Sequence, residues 1–386
     1  MIGTDRIRAL QTEVATHPAP VLSLYLNVNP ARPENARKAY ALRARAAMER
    51  LGLDKHTTRQ IVAKLRQDHG MPDARTLVVF AGDEPRTFFE SYAIRPEIAL
   101  VEAGDGVVAR WGEPYLAPLL LTVQEHQRYL ALLLASDHVR LFELYLDEVA
   151  ELDAFVQPLD DSGWRPLREH ATGAPGVPAR GGSGKDLYDK RVADWRRRFH
   201  LDVAQHLDRT LEALGGAPRL ILMGQGSEVN AFEGVLPPAL QARVVDRLPA
   251  PANADAPASE FEPLFEAALQ TIERTAEQAL LDRIQEQGVW GFGSTLEAIR
   301  EGRIHLLVVP WRMRATVFHA GDGRAVAPSH AEAERHAPGE AIQETALSDV
   351  LPALIARHNM QLAVMHGDNE TRLVEDFDGL AGLARW

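Results

Sequence analysis

Short apolar runs alternating with stretches of helical periodicity constrain this chain more than any other feature. Val21-Leu22-Ser23-Leu24-Tyr25-Leu26-Asn27-Val28, Thr76 to Ala81, Tyr129 to Ala135, Arg219 to Gly224, Ile304 to Val309 and Gln361 to Met365 are each five to eight residues long. Runs of that length, rich in apolar and β-branched residues, read as buried strands. Between them, Ala36 to Leu51, Thr57 to Asp68, Asp186 to Leu214, Phe261 to Glu286, Ser294 to Glu301 and Leu347 to His358 repeat apolar residues at helical spacing. Alternation of this kind predicts an α/β fold.

Val139 to Leu144 follows the third run after Ser136-Asp137-His138, which predicts an antiparallel pair joined by a hairpin turn. Asp147 to Leu152 is expected to add a strand beside it. The 386 residues allow two or three domains. Pro249 to Ser259, with prolines at 249, 251 and 257, is the clearest connector of the second half. The expected division is an N-terminal α/β domain over 1–118, a middle domain over 119–262 and a C-terminal domain over 263–386. Asn27 to Asn35 is expected to be a loop at a strand's carboxyl end, where function often lies. Ala327 to Ile342 reads as a polar, exposed insertion.

Composition removes several chemistries. The chain has no cysteine, which excludes disulfides, thiolate nucleophiles and cysteine-based zinc sites. No apolar run approaches the length of a membrane span, and residues 1–11 lack the apolar core of a signal peptide, so the cytoplasm is the expected location and no membrane partner is expected. The formal net charge of −12 confines nucleic-acid contact to a local basic patch.

One such patch stands out. Residues 173–185 form a Gly- and Pro-rich loop ending in Arg180-Gly181-Gly182-Ser183-Gly184-Lys185. The helix that follows carries Lys190, Arg191, Arg196, Arg197 and Arg198, interspersed with Asp186, Asp189 and Asp194. Read blandly, this is a flexible linker and a solvated, salt-bridged helix face. Read functionally, glycines let backbone approach RNA closely and guanidinium groups fork onto phosphates.

Other features carry less. Gly224-Gln225-Gly226-Ser227 follows a strand and opens a helix, but Val229 stands where a dinucleotide fingerprint needs its third glycine, so a tight strand-to-helix turn is expected. The histidines have no metal-ligand spacing, and His330 and His336 are expected to be solvated. Ser183 lacks a nucleophile-elbow context. Asp137, Glu143 and Asp147 are weighed as nuclease carboxylates, with Asp137 expected in a turn and Glu143 facing outward. No catalytic residue, metal site or cofactor is assigned.

From Gly181 onward the sequence resembles the archaeal and eukaryotic class-1 release factors and their Pelota relatives. Arg180-Gly181-Gly182-Ser183 with its Arg-rich helix is similar to their Gly-Gly-Gln loop and helix. Arg219 to Gly224, and then Leu236 to Asp246, match the elements that follow. Gly291-Phe292-Gly293-Ser294-Thr295-Leu296-Glu297-Ala298-Ile299-Arg300-Glu301-Gly302 resembles the entry to their third domain, and Gly379 to Trp386 resembles the tail of bacterial members. The resemblance implies an RNase H-like middle domain and an L7Ae-like C-terminal domain. It further implies a ribosome-binding factor of the hibernation or rescue type, similar to the Balon branch, occupying the A site and contacting its rRNA. Elongation factor Tu or another translational GTPase is the implied delivery partner. Ser183 replaces the family's Gln, which implies binding without peptide release. Peptidyl-tRNA hydrolysis and a ribosome-independent stress adaptor are the alternatives.

Overall fold

The computed structural model describes residues 20–67, 73–85, 88–103, 105–156, 184–214, 218–321 and 323–385, with backbone alone at 124–125 and 184–189. Among the described residues the chain is mixed α/β with four sheets. It divides into two compact units, residues 1–126 together with 273–386, and residues 127–272.

The first sheet contains β1 (Val21–Asn27), β2 (Thr76–Ala81), β3 (Phe89–Ile94) and β4 (Val107–Gly112), in the order β3-β2-β1-β4 with every pair antiparallel. Strand β1 is buried along its whole length, which explains its nearly continuous apolar sequence. Leu22, Leu24 and Leu26 pack with α1 (Tyr40–Arg50) and α2 (Lys55–Leu65) through Ala41, Ala44, Met48, Ile61 and Leu65. Val21 and Tyr25, on the opposite face, join a second core with α3 (Ala99–Ala103), α4 (Ala117–Glu125) and the C-terminal part of the same unit.

Helix α1 begins at Tyr40, four residues later than the periodicity predicts. Residues Pro33–Lys38 form a 3₁₀ turn instead, with Arg37 and Lys38 at φ of 54° and 59°. Side-chain bonds hold the chain in this shape. The Asn35 amide donates to Asn27 Oδ1 and to the Asn29 carbonyl, both at 2.9 Å, and Arg43 donates to the Asn27 carbonyl at 2.9 Å. Asparagine side chains that bond nearby backbone compete with helix formation.

The second unit is built on five strands, β5 (Tyr129–Leu134), β6 (His138–Tyr145), β7 (Glu148–Val156), β8 (Arg219–Gly224) and β9 (Val244–Pro249), in the order β7-β6-β5-β8-β9. The expected hairpin is present, with β5–β6 and β6–β7 antiparallel, while β5–β8 and β8–β9 are parallel. Leu130, Leu132, Leu220 and Leu222 meet the helices α5 (Gly184–Leu214) and α6 (Gly226–Glu233) through Phe199, Val203, Leu207 and Phe232; Leu240 of the short α7 (Pro238–Gln241) joins them. On the other face Tyr129, Ala131, Leu133 and Phe142 pack on Phe261 and Phe265 of α8 (Ala258–Gln287).

The C-terminal segment of the first unit adds β10 (Val289–Trp290), α9 (Phe292–Arg300), β11 (Ile304–Pro310), β12 (Thr316–Ala320), β13 (Arg324–Ala327), α10 (His330–His336), β14 (Ile342–Ala346), α11 (Leu347–His358), β15 (Gln361–Met365), α12 (Gly367–Asp376) and β16 (Ala381–Ala384). Two sheets result, ordered β10-β16-β11-β15 and β13-β12-β14. The stretch 327–342 is largely exposed, as expected of a polar insertion, and it contains regular structure. It holds α10, capped by Ser329 accepting from the Glu332 amide, and leads into β14. Strands β13 and β14 have four and five residues and lie on the two edges of their sheet, too short to stand out as apolar runs.

Candidate nucleic-acid interface

Helix α5 carries the sequence-selected patch. Arg180, Gly181, Gly182 and Ser183 lie outside the described residues. Gly184 and Lys185 open the helix, whose backbone is described from Gly184 onward. Phe199, Val203, Ala204, Leu207 and Leu211 recur at helical spacing and are buried against the sheet. That buried stripe fixes which side of α5 faces outward.

The basic residues separate into two groups. Lys190 and Arg197 are seven positions apart, as are Arg191 and Arg198, so each pair stacks on one side two turns apart. All four are exposed. Asp194 is exposed within the same face and lowers its net positive charge.

Arg196 points elsewhere. Its Nη1 lies 3.1 Å from Glu228 Oε1 in the first turn of α6, and its side chain is one-third exposed. Glu228 is buried, and its Oε2 has no hydrogen-bond partner. His200, one turn beyond Arg196, is 1% exposed, with Nε2 4.0 Å from Glu228 Oε2. Phe232 meets its ring edge-on at 5.4 Å. The Ala231 carbonyl lies beside the ring, but neither ring nitrogen makes a hydrogen bond of good geometry. Burial, followed by the nearby Arg196 charge, holds the His200 imidazole below the usual histidine range, although the Ala231 carbonyl acts the other way. The ring is therefore neutral near pH 7, and its contact with Glu228 is not an ion pair. The sequence singled out Arg196 as one of three equivalent arginines. Only the i, i+4 spacing of Arg196 and His200 hints that the two share a face.

The Gly224-Gln225-Gly226 turn has a steric reason. Gly224 pairs with Leu134 across the parallel strands, and a Cβ on it would lie 2.5 Å from the Leu134 carbonyl oxygen. Gly226 has open space at the same position.

The weighed carboxylates do not converge. Asp137 sits in the turn before β6, beside His138 Nδ1 at 2.9 Å. Asp147 sits in the turn after it, at φ 58°. An eight-residue strand places those ends on the order of 30 Å apart. Glu143, expected to face outward, is buried and paired with Arg128 Nε at 3.0 Å. Among the described residues no group of three His, Asp or Glu side chains could hold a metal ion, and no helix is long and apolar enough to cross a membrane. His330 is exposed at the start of α10.

The first unit also holds a pocket of about 330 Å³ that no sequence motif announces. Phe292, Met313, Leu347 and Val374 form apolar wall, and Arg312 and Arg314 line it as well. Its two carboxylates cap backbone: Glu370 accepts from the Arg312 amide at 2.8 Å and Asp378 from the Phe292 amide at 3.0 Å.

No curated protein matches the chain. Among solved structures, an archaeal translation termination factor, aRF1, is 14% identical over 100% of this chain and 99% of its own, with a TM-score of 0.25. The Thermoplasma acidophilum Pelota protein is 13% identical over 81% of this chain and 80% of its own, at 0.25. Dom34 of S. cerevisiae, a translation termination-like factor, is 9% identical over 80% of each chain, at 0.38. Residues 114–281, which take in the whole of the second unit's sheet and of α5, match the family model described as bacterial archaeo-eukaryotic release factor family 10, and over that segment the chain is similar to that family.

Proposed function

We propose that this protein is a ribosome-binding factor that occupies the A site of vacant or stalled ribosomes, in hibernation or rescue, without releasing a peptide. The observation that carries the reading is the placement of Lys190, Arg191, Arg197 and Arg198 on the outward side of α5, directly after Gly181-Gly182-Ser183, within a segment that matches a release-factor family model. In this reading the loop 173–185 points toward the peptidyl-transferase centre. Arg180, Gly181, Gly182, Ser183, Gly184 and Lys185 approach RNA there, and the α5 face engages rRNA phosphates. The strand order β7-β6-β5-β8-β9, three antiparallel strands continued by two parallel ones, supports an RNase H-like middle domain. An L7Ae-like C-terminal domain, the three-domain division at 118/119 and 262/263, and delivery by elongation factor Tu belong to the same proposal.

Ser183 in the place of the family's Gln supports the absence of release. The test is sucrose-gradient co-sedimentation with vacant ribosomes at low and moderate salt, with and without elongation factor Tu. Salt-sensitive co-migration, weakened by Arg197→Glu with Arg198→Glu, is expected. Absence of co-migration under every condition, with stalled complexes included, would overturn it in favour of a ribosome-independent adaptor. Release of labelled peptide from stalled complexes, abolished by Gly182→Ala, would instead make the protein a peptidyl-tRNA hydrolase.

A further inference from the structure

A buried carboxylate needs a cation or a full set of hydrogen-bond donors. Glu228 has one cation, Arg196, on Oε1, and nothing on Oε2. The imidazole of His200 lies 4.0 Å from that oxygen, buried, with the Ala231 carbonyl beside it and no well-formed hydrogen bond on either nitrogen. Three of the four unsatisfied atoms here, His200 Nδ1 and Nε2 and Glu228 Oε2, belong to groups that one added proton would turn into an ion pair, and the fourth is Arg196 Nε. Orphaned buried polar atoms in such number call for an explanation.

We propose that Glu228 takes one of two cations, Arg196 or a protonated His200, so that Arg196 turning outward to an RNA phosphate draws a proton onto His200 in its place. The RNA half of this inference rests on the ribosome-binding reading above.

The geometry supplies each part. Arg196 pairs with the buried carboxylate and is followed in the helix by the exposed Arg197 and Arg198, and a third of its own side chain is already in solvent. Its stem is long enough to sample both sides of that boundary. The charged groups acting on His200 are Arg196 from its own helix and Glu228 from α6. Phe232 faces the ring from α6, and Phe199, its neighbour on α5, lies 6.1 Å away. While Arg196 is in place it pairs with Glu228 Oε1 and repels a proton on the ring. Once it leaves, the repulsion goes and the carboxylate lacks a partner, and both changes favour the imidazolium. Binding through this face then carries uptake of one proton from solvent. Affinity rises as pH falls through the histidine range, by at most tenfold per pH unit.

The exchange itself is tested without ribosomes, by NMR titration of the histidine ring protons in the full chain, with His200 assigned from His200→Gln. In the wild type its midpoint is expected below the ordinary histidine value. In Arg196→Gln it is expected to rise by a pH unit or more, in Arg196→Lys to return toward the wild-type value, and in Arg196→Gln with Glu228→Gln the rise should vanish. An unchanged midpoint in folded Arg196→Gln and in a second variant, Arg196→Met, overturns the exchange. The linkage is tested by co-sedimentation with vacant ribosomes between pH 8 and pH 6. Stronger binding at low pH that His200→Gln abolishes supports it. Binding that is equally strong at both ends, with His200→Gln unaltered, overturns the linkage and leaves the ribosome reading standing. No binding at any pH removes the ribosome reading and the linkage together, while the titration still decides the exchange.

Discussion

Glu97 shows what single residues do in the loop after β1. Its Oε1 accepts from Asn27 at 3.1 Å and Asn29 at 2.8 Å, and its Oε2 pairs with Arg32 at 2.9 Å. Burial works to raise this carboxyl, and the Asn29, Asn27 and Arg32 contacts overcome it, holding it below the usual carboxylate range. Arg32 also reaches Glu102 at 2.7 Å, so one guanidinium serves two half-buried acids. The sign of the pH effect follows. A carboxyl that sits lower in the folded state takes up its proton first in the unfolded chain. Its stabilisation is complete above the unfolded value, 4.5, and is lost as pH falls through the folded value. Glu277 behaves alike, with burial opposed by His366 and Arg274. The thermal stability of the first unit is therefore expected to fall below about pH 4.5. Glu97→Gln should flatten that dependence and cost about 1–3 kcal/mol at pH 7. A Glu97→Gln profile parallel to the wild type would show that the network contributes nothing to it.

At the scale of elements, the turn between β8 and α6 gives a paired prediction. Gly224→Ala places a Cβ against the Leu134 backbone, which cannot yield without disturbing the β5–β8 pairing, so a loss of about 1–3 kcal/mol is expected in chemical denaturation. Gly226→Ala meets open space in the first turn of α6 and is expected to be neutral or stabilising by up to about 1 kcal/mol. Gly226→Ala should also leave ribosome binding unchanged; a loss of binding would revive a phosphate role for the turn. Most of the long elements were legible in the sequence. Strand β2 and helix α11 have the expected bounds, and β1, β5 and α5 differ by a residue or two at an end. Elements that escaped were short, edge-placed or held by side chains. Strand β3 is only half-buried and so lacks a continuous apolar run. Strand β16 has four residues, and the 3₁₀ turn at Pro33 displaces a helix that periodicity alone would start earlier.

At the scale of the whole molecule, a chain of net charge −12 is expected to bind RNA only through a confined patch. Removing one phosphate contact should then lower the slope of log affinity against log salt by about one, with little change in the ribosomal state chosen. Co-sedimentation across a salt series with Arg197→Gln and with Arg198→Gln checks this. A slope equal to that of the wild type in both would place the contact face elsewhere.

By itself the sequence determined the α/β class, the long strands and helices, and the location of the basic cluster. Those depend on local periodicity and on which residue types a short segment contains. Tertiary structure alone decided the rest. It split Arg196 from Lys190, Arg191, Arg197 and Arg198, because the buried stripe of Phe199, Val203 and Leu207 sets the rotation of α5 and turns one arginine of three toward Glu228, 32 positions away in the chain. It also buried Glu143 beside Arg128. Burial and pairing between distant segments are properties of packing, and no window of neighbouring residues contains them.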